Sequence, residues 1–295
     1  MFGELLGLWC AQCWRDQGCP GRARLIELGP GRASLMRDAL RAARTLPGFL
    51  QSLEVVLVEA SPALISLQRD ALAGVAVPVV WKESFDGELF DRPCFVLANE
   101  FFDALPVRQF VFRDGGWHER LVTLDGDQLT FGLAPAPAPL AANSDPPPGA
   151  VLEISAPADA LAAQMAHGIA ALGGAALIVD YGHNGAFGET LQAVRRHTPV
   201  DVLASPGEAD LSSHVDFSAL SASAASEGVA VCGPIPQSQF LQQLGIAARA
   251  DALSRHSPTI IRDLERLTSP QQMGSLFKAM AIVPKSAPIP AGFTG

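Results

Sequence analysis

The sequence predicts an α/β protein with a doubly wound, mostly parallel sheet and a small antiparallel β insertion. Three observations lead there. Short apolar runs alternate with helical patterns through the first hundred residues. Strand, helix, strand, helix in that order needs crossover connections and a sheet covered on both faces. Residues 108–133 interrupt this rhythm with period-two alternation and tight turns, and the parallel pattern then resumes at Ala175–Asp180.

Taken in order, Phe2, Leu5, Leu6, Trp9 and Cys13 mark one stripe of a leading helix within residues 1–20. Cys10 and Cys13 are spaced as C-x-x-C, but with no partners evident nearby and Cys13 on that stripe they read as buried apolar thiols rather than a redox or zinc pair. Arg24–Glu27 reads as a strand, Gly29-Pro30-Gly31 as a turn, and Leu35, Met36, Ala39, Leu40 and Ala43 as a helix stripe. Glu54–Glu59 is a run of buried-strand type, and Ser61-Pro62 starts a helix with an N-cap and a first-turn proline. Val77–Trp81 and Cys94–Ala98 are two more strands.

The insertion spans 108–150. Phe110 and Phe112 alternate with polar residues, Asp114-Gly115-Gly116 turns the chain, Trp117–Leu124 returns, and Asp125-Gly126 precedes Leu129, Phe131 and Leu133. Ala134–Gly149, with six prolines, reads as an exposed connector. A helix over Pro157–Leu172 precedes the Ala175–Asp180 strand. The polar stretch at 182–214 is a candidate substrate loop. Val229–Cys232 is a strand, Ile260, Ile261, Leu264 and Leu267 mark a late helix, and Leu276–Val283 closes the sheet. The whole of 1–295 reads as one domain.

Of the 295 residues 48% are hydrophobic and 17% charged, enough apolar surface for a large core. Acids outnumber bases 30 to 21, for a net charge of −9, which disfavours a nucleic-acid partner. Five cysteines are too few and too irregular for a disulfide framework. No apolar run approaches the roughly 20 residues of a membrane span, and no signal peptide is visible, so a soluble, intracellular protein is expected.

The chemistry concentrates at strand ends. Gly29-Pro30-Gly31 opens a helix with bare backbone N–H groups, a place where a ligand can approach the main chain. Two acids narrow the ligand. Glu27, two residues before Gly29, is unhelpful to a pyrophosphate but suits a cationic amino group and sulfonium. Glu59, 30 residues after Gly29 at the end of the next strand, can accept both hydroxyls of a ribose. The plainer readings are a helix-facing charge for Glu27 and a charge at the following helix N-terminus for Glu59. Asn99 to Pro106 (N-E-F-F-D-A-L-P) leaves the fourth strand at the same sheet edge. There Asn99 can hold a cofactor's amino-acid end while Glu100 and Asp103 face a substrate cation; the alternative is a capped turn with two core phenylalanines. Asp180, Tyr181 and His183 leave the fifth strand nearby and are candidates for the substrate mouth, with a solvated loop as the plain reading of His183. Asp210, His214 and Asp216 are too openly spaced to argue for a metal, and no metal site is expected.

Phe2-Gly3-Glu4-Leu5, E-L-G-P-G-R at 27–32, V-E-A-S-P at 58–62, A-N-E-F-F-D-A-L-P-V at 98–107, I-V-D-Y-G-H at 178–183, P-G-E-A-D-L at 206–211 and V-D-F at 215–217 recur in one order. In this the chain resembles the MidA-like family of bacterial proteins and mitochondrial complex I assembly methyltransferases, over nearly its whole length. The resemblance implies a class I, Rossmann-like methyltransferase fold and S-adenosylmethionine as cofactor. It places Gly29, Gly31, Glu59 and Asn99 in the cofactor site, with Glu83 and Ser84 near the adenine. It also implies arginine N-methylation of a protein, a complex I subunit for the mitochondrial member. The compartment would be the cytoplasm of a bacterium or the mitochondrial matrix of a eukaryote. Two departures stand out. Ala33 replaces a loop glycine, and as a good helix former it is expected to spare cofactor binding. The resemblance also leads one to expect some tens of residues before F-G-E, where in this sequence Met1 directly precedes Phe2. The rival readings are a non-catalytic assembly factor that keeps the fold, and a nicotinamide-dependent oxidoreductase, against which Glu27 argues.

Overall fold

The computed structural model describes residues 1–140, 146–255 and 257–294; residues 141–145 of the proline-rich connector lie outside them. The elements follow as α1 (Phe2–Asp16), β1 (Ala23–Leu28), α2 (Ser34–Ala43), α3 (Phe49–Ser52), β2 (Leu53–Val58), α4 (Pro62–Ala71), β3 (Val79–Lys82) and β4 (Cys94–Asn99). Then come β5 (Arg108–Arg113), β6 (Gly116–Asp125), β7 (Gln128–Leu133), β8 (Val151–Ile154), α5 (Ala156–Leu172) and β9 (Gly174–His183). The rest is β10 (Gln192–Arg195), β11 (Thr198–Val200), β12 (Asp210–Ser212), β13 (Val215–Asp216), α6 (Phe217–Ser226) and β14 (Ala230–Pro236). It ends with α7 (Gln237–Gln243), α8 (Ile246–Ser254), α9 (Ile260–Thr268), α10 (Met273–Leu276) and β15 (Phe277–Val283).

The main sheet runs β14-β15-β9-β4-β1-β2-β3, with β13 paired to β9. β1, β2, β3, β4 and β9 are mutually parallel, while β15 runs antiparallel to both β9 and β14. The near-continuous apolar runs of these strands follow from burial on both faces. Leu25, Val55, Leu57, Phe95 and Leu97 face α1 and α2, whereas Ile26, Val56, Val58, Val96 and Ala98 face α5 and α6. Ser61 caps α4 by accepting the Leu64 N–H at 3.4 Å, as its place before Pro62 leads one to expect.

α1 docks closely on α2. A Cβ on Gly7 would lie 2.5 Å from Ala39 Cα, and one on Gly3 2.8 Å from the Leu35 carbonyl oxygen, so only glycine permits the approach. Cys10 and Cys13 are buried in this layer, and burial raises both thiols well above their ordinary range. Glu4, buried on α1, accepts from Arg249 Nε at 2.8 Å and Nη2 at 2.6 Å, and Arg41 stands 3.1 Å away. The Arg249 hydrogen bond, against the cost of burial, holds the Glu4 carboxyl at about 2. Glu4→Gln should lower unfolding stability by about 1–3 kcal/mol, since the buried carboxylate loses its two charge-assisted hydrogen bonds from the partly exposed Arg249. Urea titration at pH 7 measures it, and an unchanged midpoint would refute it.

The 108–133 stretch forms β5, β6 and β7, joined by β8 in a sheet of order β7-β6-β5-β8. The polar stretch at 182–214 is more built than its composition suggests. It carries a second antiparallel sheet, β11-β10-β12. Glu153 on β8 anchors its start, accepting the N–H groups of Thr190 at 3.0 Å and Leu191 at 3.2 Å. No helix among the described residues is long and apolar enough to cross a membrane.

Candidate active site

The strand order reverses between β1 and β4, whose carboxyl ends therefore flank a crevice where open α/β sheets bind ligands. Gly29 and Gly31 line it with φ of +61° and +53°. At Gly29 glycine is required twice, because a Cβ would also lie 2.9 Å from Phe101 Cδ2. Beside Gly31 a Cβ would meet nothing within 4 Å, so there the demand is conformational and the space is open.

Ala33 departs from expectation. It is not a helix residue but the N-cap of α2, buried, in the left-handed region at φ 57°. Its helix propensity is therefore irrelevant. The left-handed backbone costs about 1–2 kcal/mol, while the buried methyl returns about 0.8 kcal/mol. The buried methyl thus offsets part of the cost of the left-handed backbone.

Glu27 is 3% exposed, and its Oε2 has no hydrogen-bond partner among the described residues. Burial pushes its carboxyl up to about 8, opposed by a hydrogen bond from the Met36 backbone. Glu59, just past β2, accepts the Ser61 N–H on Oε1 at 2.9 Å and Gln68 Nε2 on Oε2 at 3.1 Å. A carboxylate has about four acceptor sites, so each oxygen keeps one free. Its own N–H donates to the Lys82 carbonyl at 2.9 Å, which binds the ends of β2 and β3 together. Glu83 and Ser84 follow β3 and are exposed. An orphaned buried carboxylate, a side-chain-free loop and a ribose-type acid at one edge fit a nucleoside ligand with a cationic end.

The β4 exit is held from below. Asp180 does not line the mouth, contrary to expectation: it is fully buried, and its Oδ2 accepts the N–H groups of Phe101 (3.1 Å), Phe102 (3.0 Å) and Asp103 (3.3 Å). Burial, and then the nearby Asp103 charge, push its carboxyl up, against the pull of these donors. The clamp holds Glu100 at φ 50°, a left-handed backbone that non-glycine residues keep only under such support. Asn99 Nδ2 donates to Glu100 Oε1 at 3.5 Å. Asp103 Oδ2 accepts from the Tyr181 hydroxyl at 2.6 Å, and Oδ1 is buried without a partner among the described residues. Burial raises the Glu100 and Asp103 carboxyls, Glu100 further through the Asp103 charge. Asn99 and Glu100 open into a cleft of about 260 Å³ shared with Phe2, Asp263, Arg266 and Met273.

Other sequence candidates lie elsewhere. His183 Nδ1 accepts the Ala186 N–H at 3.1 Å, so that face of the ring is used by its own turn. His214 and Asp216 border a separate cavity of about 220 Å³ behind Phe102, and Asp216 caps α6 through the Ser218 N–H at 2.9 Å. Among the described residues no group of three or more His, Cys, Asp or Glu is placed to hold a metal ion. Sequence reasoning missed Gln68, which reaches both the glycine loop and Glu59.

A parallel sheet with one reversed strand, a glycine loop at its switch point and acids suited to a ribose and a cation define an S-adenosylmethionine-dependent methyltransferase. Comparison with known proteins is specific. Residues 5–235 match the family model described as "Putative S-adenosyl-L-methionine-dependent methyltransferase", and the chain belongs to that family. It is 35% identical over 323 residues to the Xenopus tropicalis mitochondrial protein arginine methyltransferase NDUFAF7, covering 97% of this chain and 74% of that one. The Homo sapiens protein of that name is 36% identical, with 96% and 71% covered. A Burkholderia thailandensis structure bound to S-adenosyl-homocysteine superposes with a TM-score of 0.82 at 27% identity, covering 100% of this chain and 77% of that one. The fold class, the enzyme class and the cofactor expected from the sequence thus stand.

Proposed function

We propose that this enzyme methylates a guanidinium nitrogen of an arginine in a protein substrate. Glu27, Gly29, Pro30, Gly31, Glu59, Glu83, Ser84 and Asn99 form the cofactor site in this reading, and Glu100 and Asp103 hold the substrate arginine. The observation that carries it is the β4 exit: two carboxyls three residues apart whose affinity for a proton is raised by burial, one with a buried oxygen that has no partner among the described residues, beside the glycine loop. A buried acceptor without a donor is costly. A guanidinium, a planar fork of five donors with no acceptor, relieves that cost and is oriented by it. The names of the curated relatives support the same substrate class.

S-adenosylmethionine supplies a methyl already activated on a sulfonium. The residues of the chain have the remaining tasks of aligning the nucleophile and excluding water. Tyr181 fixes one Asp103 oxygen and leaves the other for the substrate. Glu100, whose carboxyl is raised, is placed to take the proton released from nitrogen.

A respiratory complex I subunit is the first substrate to test, in the cytoplasm of a bacterium or the mitochondrial matrix of a eukaryote. Purified subunits are incubated with methyl-labelled S-adenosylmethionine, then hydrolysed and analysed for amino acids. Label in methylarginine is the expected outcome; label in methyllysine or in free small molecules would overturn the arginine reading. Cofactor binding without label on any subunit would favour an assembly factor that keeps the fold without turnover.

A further inference from the structure

We infer that Gln68 is a positioning residue that sets the cofactor-binding geometry of both Gly31 and Glu59, an inference resting on the cofactor site proposed above. Helix α4 buries one side chain completely, and it is this glutamine. Its Nε2 donates to the Gly31 carbonyl oxygen at 2.9 Å and to Glu59 Oε2 at 3.1 Å. Its Oε1 accepts from Trp81 Nε1 at 2.9 Å. One amide thus joins the loop after β1, the acid after β2 and the strand β3.

The residue type is dictated by its partners. Two acceptors and one donor surround the amide, which fixes which end is nitrogen. Glutamate would set a third oxygen against the Gly31 carbonyl and Glu59. Leucine would leave two acceptors and an indole N–H buried with fewer partners. Both functional consequences follow from this hub. The Gly31 carbonyl, tied inward, keeps the loop at its positive φ with open space beside it. Glu59, held by Gln68 on one oxygen and the Ser61 N–H on the other, cannot rotate away from the crevice. Arg69, the next residue, stacks its guanidinium 4.8 Å from the Trp81 ring centroid and steadies the third partner from outside. Gln68 touches neither methyl nor substrate nitrogen in this arrangement, so it acts on affinity and not on the chemical step.

The test is a double-mutant cycle on S-adenosylhomocysteine affinity by calorimetry, with Gln68→Leu, Glu59→Ala and the double variant. Gln68→Leu is expected to weaken binding about tenfold or more and to raise the KM for S-adenosylmethionine, with kcat changed less than about threefold. The double variant should bind several-fold more tightly than the product of the two single losses predicts, the shortfall being the part of the Gln68 effect that runs through Glu59 and the remainder the part that runs through Gly31. Full additivity, or a Gln68→Leu variant with wild-type affinity, would overturn the inference. If Glu59→Ala itself binds normally, the assignment of Glu59 to the ribose fails instead, and the two failures are thereby told apart. Should Gln68→Leu unfold, Trp81→Phe removes the indole donor and leaves the other two bonds of the hub; it should raise KM by a few-fold in a protein that still melts cooperatively, and an unchanged KM would count against the inference.

Discussion

Asp103→Asn is expected to lower turnover by about 100-fold or more while S-adenosylhomocysteine binds within about threefold of wild type. Asp103 offers one oxygen to Tyr181 at 2.6 Å and keeps the other buried, without a partner among the described residues. An amide keeps the shape of this group but turns one of its two acceptor ends into a donor, facing either the Tyr181 hydroxyl or the guanidinium. Glu100→Gln should behave alike, since the Asp180 clamp on residues 101–103 holds the backbone whatever the charge at position 100. Tyr181→Phe is the graded control: it frees Asp103 Oδ2 without removing charge, and a loss of about tenfold is expected. Calorimetry and single-turnover rates on the same samples separate the two quantities. Equal loss of binding and turnover in Asp103→Asn would remove it from the substrate site.

Why the β4 exit is built this way could be read only partly from the sequence. The parallel strands were legible because burial on both faces leaves uninterrupted apolar runs, such as Val55–Val58 and Val96–Ala98. The glycine loop at the switch point and the positions of Glu27 and Glu59 at strand ends are legible because such residues are unusual there. Asp180 was misplaced for the same reason: a carboxylate at a strand end reads as functional, and nothing local reveals that three N–H groups from residues some 78 positions away fill its oxygen. Gln68 was invisible. It sits in the sequence S-L-Q-R-D, where a polar residue reads as solvent-facing, yet the neighbouring Leu67 is 46% exposed and the glutamine is buried. The short strands β10, β11 and β12 escape because three or four residues carry no clear alternation. Ala33 shows a further limit: helix propensity follows from the residue type, whereas the left-handed backbone that decides its cost does not.

Affinity for S-adenosylmethionine should rise steeply with pH, by about tenfold per unit between roughly pH 6 and 7, and level off above about 8. The cause is Glu27, whose carboxyl is pushed up to about 8 by burial and whose Oε2 has no partner among the described residues. A cationic ligand favours the ionised form, so below that value binding must expel a proton. Calorimetry at pH 6.5 in buffers of different ionisation enthalpy is expected to show nearly one proton released per cofactor bound. Without cofactor the sign is the opposite. A carboxyl raised on folding lends its stability fully below the unfolded value near 4.5, and loses it as pH rises through about 8. Between those limits the protein alone grows less stable while cofactor binding strengthens, so the thermal shift caused by S-adenosylmethionine should widen with pH. Glu27→Gln should flatten both trends and abolish the proton release, with affinity held near the acid-side value of the wild type. A wild-type protein with pH-independent affinity and no released proton would refute the role assigned to Glu27, because an ionisable group that senses the ligand's charge cannot leave its binding unlinked to pH.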